Sequence, residues 1–336
     1  MRSLIIMLLL LIMVAQTACK PVHARDNGLQ PVIVVTFSHL KPDVELLLCN
    51  GVVYALVPPS IDPHDYQLKP SDIEVLRRAD VIVSTGHTHF ELEIRNLVKQ
   101  GELSAKLVDL SSTPEVKLLV NPVTKQPNYH LPVRDPVNYL VFMSALARVL
   151  AEADPNNEKC YYGRFHGLAE RLAREILVYR NQFNGSVVAD GPHVQYCAEW
   201  LGLRVAWIVK PEEGVQVTPE NVEKAKELIK SGGVVAVFVT KPKVLPESRL
   251  LVELAEEYGV PVVEVYSPTS SVGVYDSLLD VVMQVKELNL TTTVTLKPVA
   301  GDKGSWLAYL YYIVPVVASF TVGFIAGILV NRARRW

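Results

Sequence analysis

Several histidines stand where an imidazole could do chemistry. His39 follows the β-branched run PVIVVTF, His64 comes soon after YALVP, His87 and His89 follow DVIVST, and His193 follows SVVAD. His130 lies in NYHLPVRDP, a proline-framed loop just ahead of a helix-opening Asp135-Pro136 pair. Neutral imidazole is a common ligand for transition metals near neutral pH. Histidines placed just past parallel strands would converge, because the carboxyl ends of such strands border the binding crevice. The pattern is clearest in PPSIDPHDYQLKPSDIE, Pro58 to Glu74, where prolines frame a loop carrying Asp62, His64, Asp65 and Tyr66 before a helix starts. A loop that only turned the chain would use Gly, Asn or Ser.

The elements that must position these residues are short strands alternating with helical patterns. PVIVVTF, YALVP, DVIVST and KLVDLSS fill the first half; SVVAD, RVAWIV, GVVAVFVT and PVVEVYS fill the second. Such alternation predicts an α/β protein of two lobes, each a mostly parallel sheet flanked by helices. Helix starts are marked by Ser71 with Glu74 after Pro70, by Asp135-Pro136, and by Thr218-Pro219-Glu220. Between the lobes, Tyr161, Phe165, Leu168, Leu172, Ile176, Tyr179 and Phe183 recur every three or four residues, the stripe of one long, stiff helix. The expected organisation is an N-terminal lobe at 30–156, a connecting helix at 157–183 and a C-terminal lobe at 184–288.

The chain has 336 residues, of which 49% are hydrophobic and 20% charged, with net charge -2, a globular composition without a basic patch for nucleic acid. Arg2 followed by the apolar run Leu4 to Val14 and small residues reads as a signal peptide over 1–24. Cys19 sits as in a bacterial lipoprotein box, but Gln16 replaces the expected aliphatic residue, which argues against lipidation. A polar stalk at 289–305 leads to an uncharged apolar stretch at 306–330, long enough to span a bilayer of roughly 30 Å. Arg332, Arg334 and Arg335 follow it, so the positive-inside bias puts the tail 331–336 in the cytoplasm and the body outside the cell membrane. Cys49, Cys160 and Cys197 allow at most one disulfide. Asn184 and Asn289 begin glycosylation sequons.

DPHDYQLKPSDIEVLRRADVIVSTG resembles the signature of the zinc and manganese solute-binding proteins of ABC importers, the ZnuA-like or TroA-like cluster. The order of elements is similar from about Pro31 to Glu287. The resemblance implies an extracytoplasmic, monomeric metal-capture protein, no enzyme, that delivers Zn2+ or Mn2+ to an ABC permease and its ATPase. A transmembrane anchor in place of a lipid fits an archaeal cell surface. The family's first metal ligand maps to His64 and its second to His130, although LPVRDP departs from the family's turn. The third family position falls on Gly191, which makes His193 the candidate, with Asp190 as an oxygen alternative. The fourth, an acidic residue in the family, falls on Ser267 in VYSPTSS, with Glu264 nearby. His87, His89 and Glu91 match no family ligand and are assigned to an accessory or entry site. His39 is read as a polar loop residue.

Three imidazoles without an obvious carboxylate suit zinc better than manganese. Affinity should fall below roughly pH 6.5, because tight binding needs neutral imidazoles. The competing readings are a binder of haem, corrinoid or siderophore on the same fold, a degenerate relative that has lost its metal, and a metallohydrolase suggested by His87-Thr88-His89.

Overall fold

The computed structural model describes residues 30–288, apart from residues 60, 62, 213, 243 and 244. The export signal, the stalk with the Asn289 sequon, the apolar span 306–330 and the tail lie outside the described residues. Among the described residues no helix is long and apolar enough to cross a membrane.

The first lobe is a parallel sheet of β1 (Val32–Phe37), β2 (Val52–Val57), β3 (Val81–Ser84) and β4 (Lys106–Asp109), in the order β2-β1-β3-β4. Its crossovers carry α1 (Leu40–Leu47), α2 (Pro70–Arg78) and α3 (His89–Gln100), and α4 (Pro136–Ala153) follows. After α5 (Glu158–Tyr179), the second lobe repeats the plan. It runs through β5 (Gly185–Ala189), α6 (Gln195–Glu199), β6 (Leu203–Ile208), α7 (Pro219–Lys230), β7 (Ala236–Lys241), α8 (Pro246–Tyr258), β8 (Val262–Tyr266) and α9 (Val274–Glu287), with sheet order β6-β5-β7-β8. All pairings within both sheets are parallel, as the alternating pattern predicts. The strand order reverses between β1 and β3 and again between β5 and β7, and ligands collect at such switch points.

The helix starts follow local chemistry. The Asp135 carboxylate accepts from the backbone N–H of Val137 and Asn138, and the Thr218 hydroxyl accepts from Asn221 N–H, as expected. At α2 the cap differs: Asp72, not Glu74, reaches back to accept from Lys69 N–H at 2.8 Å. Pro70 fixes the first helical φ, so the box closes two residues earlier than the Ser71 reading.

In α5 the stripe Tyr161, Phe165, Leu168 and Leu172 is buried, with Ile176 and Tyr179 packed at its edge. One apolar cluster runs from the first sheet through this helix to residues of the second lobe such as Val187, Phe238 and Val285. The opposite face of the second sheet has its own cluster, including Val188, Val237, Ile229 and Leu251. A shared core makes the lobe junction a packed interior and not a flexible joint. Cys49 and Cys160 form a disulfide tying the loop after α1 to the first turn of α5, consistent with an oxidising, exported setting. Cys197 is a buried free thiol.

Polar bonds reinforce the junction. Asp43 on α1 is buried and accepts from Tyr139 Oη at 2.6 Å and from the backbone N–H groups of Val274 and Tyr275 at 2.7 and 3.0 Å. It therefore caps α9 of the other lobe from across the seam. His39 bonds through Nδ1 to the Pro268 carbonyl at 2.6 Å, so this buried histidine is a lobe-to-lobe clasp and not a plain loop residue. Burial, with Arg134 nearby, lowers its pKa from 6.5 to about 4.

The sign of the pH effect follows. Between about pH 4 and 6.5 the unfolded chain protonates residue 39 and the folded chain does not, so stability is full above 6.5 and falls as pH drops through that window. The shift corresponds to roughly 3 kcal/mol at full effect. Thermal melts of metal-stripped protein should lose stability on acidification from pH 6.5 to 4, and His39→Asn should flatten that slope. An unchanged slope would refute the clasp.

Candidate metal centre

The loop after β2 presents His64, and the two halves of the DPHDY…PSD signature brace it. Tyr66 is buried, donates its hydroxyl to Asp72 at 2.7 Å and packs edge-on against Phe90. The aspartate that caps α2 thus also fixes the tyrosine two residues beyond His64.

His87 follows β3 by way of Gly86, whose φ of +75° is a left-handed turn, and a Cβ there would run into the Asp109 carboxylate. The Gly86 carbonyl accepts from Arg95 and Ser111, each at 2.8 Å, which holds the turn. Behind His87 lies Glu91, buried in α3, whose carboxylate accepts from the hydroxyls of Thr36, Ser84, Thr85 and Thr88 and the N–H groups of Thr85, His87 and Thr88. Burial pushes its pKa up, but neighbouring His87 and these donors outweigh it and hold the carboxyl below its usual value. Thr85 gives its one hydroxyl proton to Glu91, so its oxygen accepts from His87 Nδ1 at 2.9 Å. That assigns the proton to Nδ1 and turns the lone pair of Nε2 outward.

His130 is oriented the same way. Asn128 donates its amide to the Pro192 carbonyl and the Gln195 side-chain oxygen, leaving its own oxygen to accept from His130 N–H and from Nδ1 at 2.9 and 3.1 Å. Nε2 is again the bare nitrogen. Burial, then His87 and His64, lower the His130 pKa to about 3, so the ring is neutral at neutral pH. Leu131, with φ 50° and ψ 56°, then turns the chain sharply into a 3-10 turn at Pro132–Arg134. A non-glycine residue held left-handed beside a candidate ligand is strain of the kind found at functional sites.

His64, His87 and His130 meet. Their donor atoms all lie within 4.8 Å of one another, and the ring centroids are 5.5 to 6.1 Å apart. His64 and His130 are where the signature implied. His87, expected at an accessory site, is the third member of the cluster. His130 Nε2 also lies 3.3 Å from Glu212, a residue the sequence reading did not single out.

The other candidates are elsewhere engaged. His193 is buried with Nε2 bonded to Thr240 at 2.9 Å, and lies outside the three-histidine group. Ser267 Oγ shares a bond with Thr269 Oγ1 and accepts from Thr269 N–H, closing its own turn. Asp190 is buried, accepting from Thr240 N–H and Ser248 Oγ, both at 2.6 Å. Glu264 sits inside β8, where Gln284 of α9 bonds its backbone on both sides. His89 is exposed on the first turn of α3, and Glu91 is a buried brace and not an entry ligand.

A single residue explains the shift. The buried Arg134 guanidinium donates to the backbone carbonyls of His193 and Tyr266, next to Gly191 and Ser267, where the family pattern places its second-lobe ligands. A fixed cation there repels a metal ion, and with burial it helps drive the His193 pKa well down.

Two parallel α/β lobes joined through a long helix, with His64 and His87 past strand ends meeting His130 from a longer loop, have the arrangement of a solute-binding class. The chain belongs to the family described as ZnuA, zinc-uptake complex component A periplasmic, whose model matches residues 33–286. Among curated relatives it is similar to the manganese-binding lipoprotein MntA of Halalkalibacterium halodurans, 23% identical over 303 residues, 87% of this chain and 97% of the relative. It is also similar to the metal ABC transporter substrate-binding lipoprotein SloC of Streptococcus mutans, 22% identical over 278 residues, 78% and 88% of the two chains. Among solved structures, a periplasmic metal binding protein of Candidatus Liberibacter asiaticus shares the fold with a TM-score of 0.61 at 18% identity, over 77% of this chain and 99% of that one. FpvC of P. aeruginosa, solved with Ni2+, shares it with a TM-score of 0.60 at 20% identity, over 77% and 98%.

Proposed function

We propose that the protein is the substrate-binding component of a metal-ion ABC importer, holding a divalent transition metal as cargo between its lobes for delivery to a permease driven by an ATPase. The carrying observation is the convergence of His64, His87 and His130, with two Nδ1 protons fixed by Asn128 and Thr85 so that Nε2 faces the centre. A nitrogen-rich set of this kind favours zinc over manganese, which takes more oxygen. No catalytic step is assigned. In this reading the apolar span 306–330 anchors a monomeric body outside the membrane, with the Arg-rich tail inside.

Calorimetric titration of the chelator-stripped protein with zinc and with manganese tests the proposal. Tight zinc binding with weaker manganese binding is the expected result; binding of neither metal would refute it. The brace behind His87 gives a further expectation. Glu91→Gln keeps the shape but loses the charge, and should weaken zinc binding by roughly 10- to 100-fold, the usual effect of an outer-shell carboxylate. Unchanged affinity with an unchanged melt would remove Glu91 from the account.

A further inference from the structure

The three histidines all come from the first lobe, which leaves open what the second lobe contributes. We infer that Glu212, in the loop after β6, is the fourth ligand, so that the bound metal bridges the two lobes through a carboxylate from a strand end other than those the family pattern uses. The inference rests on the metal-capture reading above.

Distance supports it first. Two ligand atoms on a tetrahedral zinc, each about 2.0–2.1 Å from the ion, stand roughly 3.3 Å apart. His130 Nε2 and Glu212 Oε1 are 3.3 Å apart. Chemistry supports it second. Asn128 takes the proton of His130 at Nδ1, so Nε2 faces a carboxylate oxygen lone pair to lone pair. Such an approach is favourable when a cation lies against both, a metal ion in this reading or a proton on Nε2 in a plain ion pair.

Placement supports it third. Asn121 of the first lobe donates to the Pro211 carbonyl at 2.7 Å, and Lys210 N–H donates to the Asp190 carbonyl at 2.9 Å. The residues before Glu212 are thereby pinned to both lobes. Glu212 lies outside the group of three whose donors are all within 4.8 Å, and at 47% exposure its side chain has room to move toward an ion held there. Lys210 faces the same region, but its ammonium lies 3.8 Å from Glu247, which offsets its charge. A carboxylate is also what this chain lacks at Ser267, the place of the family's acidic ligand, where Arg134 bonds the preceding carbonyl.

The closing residue decides between capture and catalysis. Three imidazoles with an open fourth position are the arrangement of catalytic zinc, whereas a fourth protein ligand closes the site. Glu212→Gln should therefore lower zinc affinity by roughly 10- to 100-fold or more, at least the loss seen for outer-shell partners. X-ray absorption of the zinc-loaded full chain should show three imidazoles in both proteins, with the carboxylate signature lost in the variant. Glu220→Gln, an exposed change in the same lobe, should behave as wild type. If wild type binds zinc and Glu212→Gln matches it in affinity and spectrum, Glu212 is only an ion-pair partner of His130 and the inference is overturned. If wild type binds neither zinc nor manganese, the capture reading fails and takes the inference with it.

Discussion

Zinc binding by the His64→Ala, His130→Ala double variant falls out of calorimetric range, with affinity reduced on the order of a thousandfold or more. The two residues supply two of the three imidazoles that meet, and each direct ligand should be worth at least the roughly 10- to 100-fold of an outer-shell partner. The fold should survive, because neither ring is part of the apolar cluster. A normal melt with lost binding is thus the expected pair of results. Retained affinity would mean the ion sits elsewhere.

The second large effect is on stability. Asp43→Ala should destabilise the metal-free protein by roughly 3 kcal/mol, since it strips the acceptor from one buried hydroxyl and two helix-start N–H groups. Burial raises the Asp43 pKa to about 6 despite those donors. Between pH 3.8 and about 6 the folded state then holds a proton that the unfolded state releases. Its contribution is largest in acid and declines as pH rises through that window, opposite in sign to His39. Denaturant melts of the variant and of Asp43→Asn at pH 5 and pH 7.5 check both points. A loss below roughly 1 kcal/mol for the alanine change would contradict the cap across the lobe seam.

The parallel sheets and the connecting helix could be read from residue patterns, because strand alternation and a stripe repeating every three or four residues are local properties. The helix nevertheless stops at Tyr179, although Phe183 continues the spacing and is buried. Asn181 and Phe183 give their N–H groups to the carbonyls of Trp200 and Leu201, a tertiary pairing that the stripe does not encode. At the site, His64 and His130 were legible because proline-framed motifs announce them. His87 was visible by its place after β3, but the family pattern has no ligand there and drew attention to His193 instead. What separates the two is Arg134, whose bonds to His193 and Tyr266 depend on packing between distant loops. Glu212 was silent for the same reason: its approach to His130 is set by Asn121 holding Pro211 across the seam.

The most direct test is a crystal structure of the zinc-loaded protein with anomalous data collected at the zinc edge. The account predicts one strong anomalous peak bonded to His64, His87 and His130 at about 2.0–2.1 Å. A peak beside His193 and Ser267, or none within reach of His87, would contradict it.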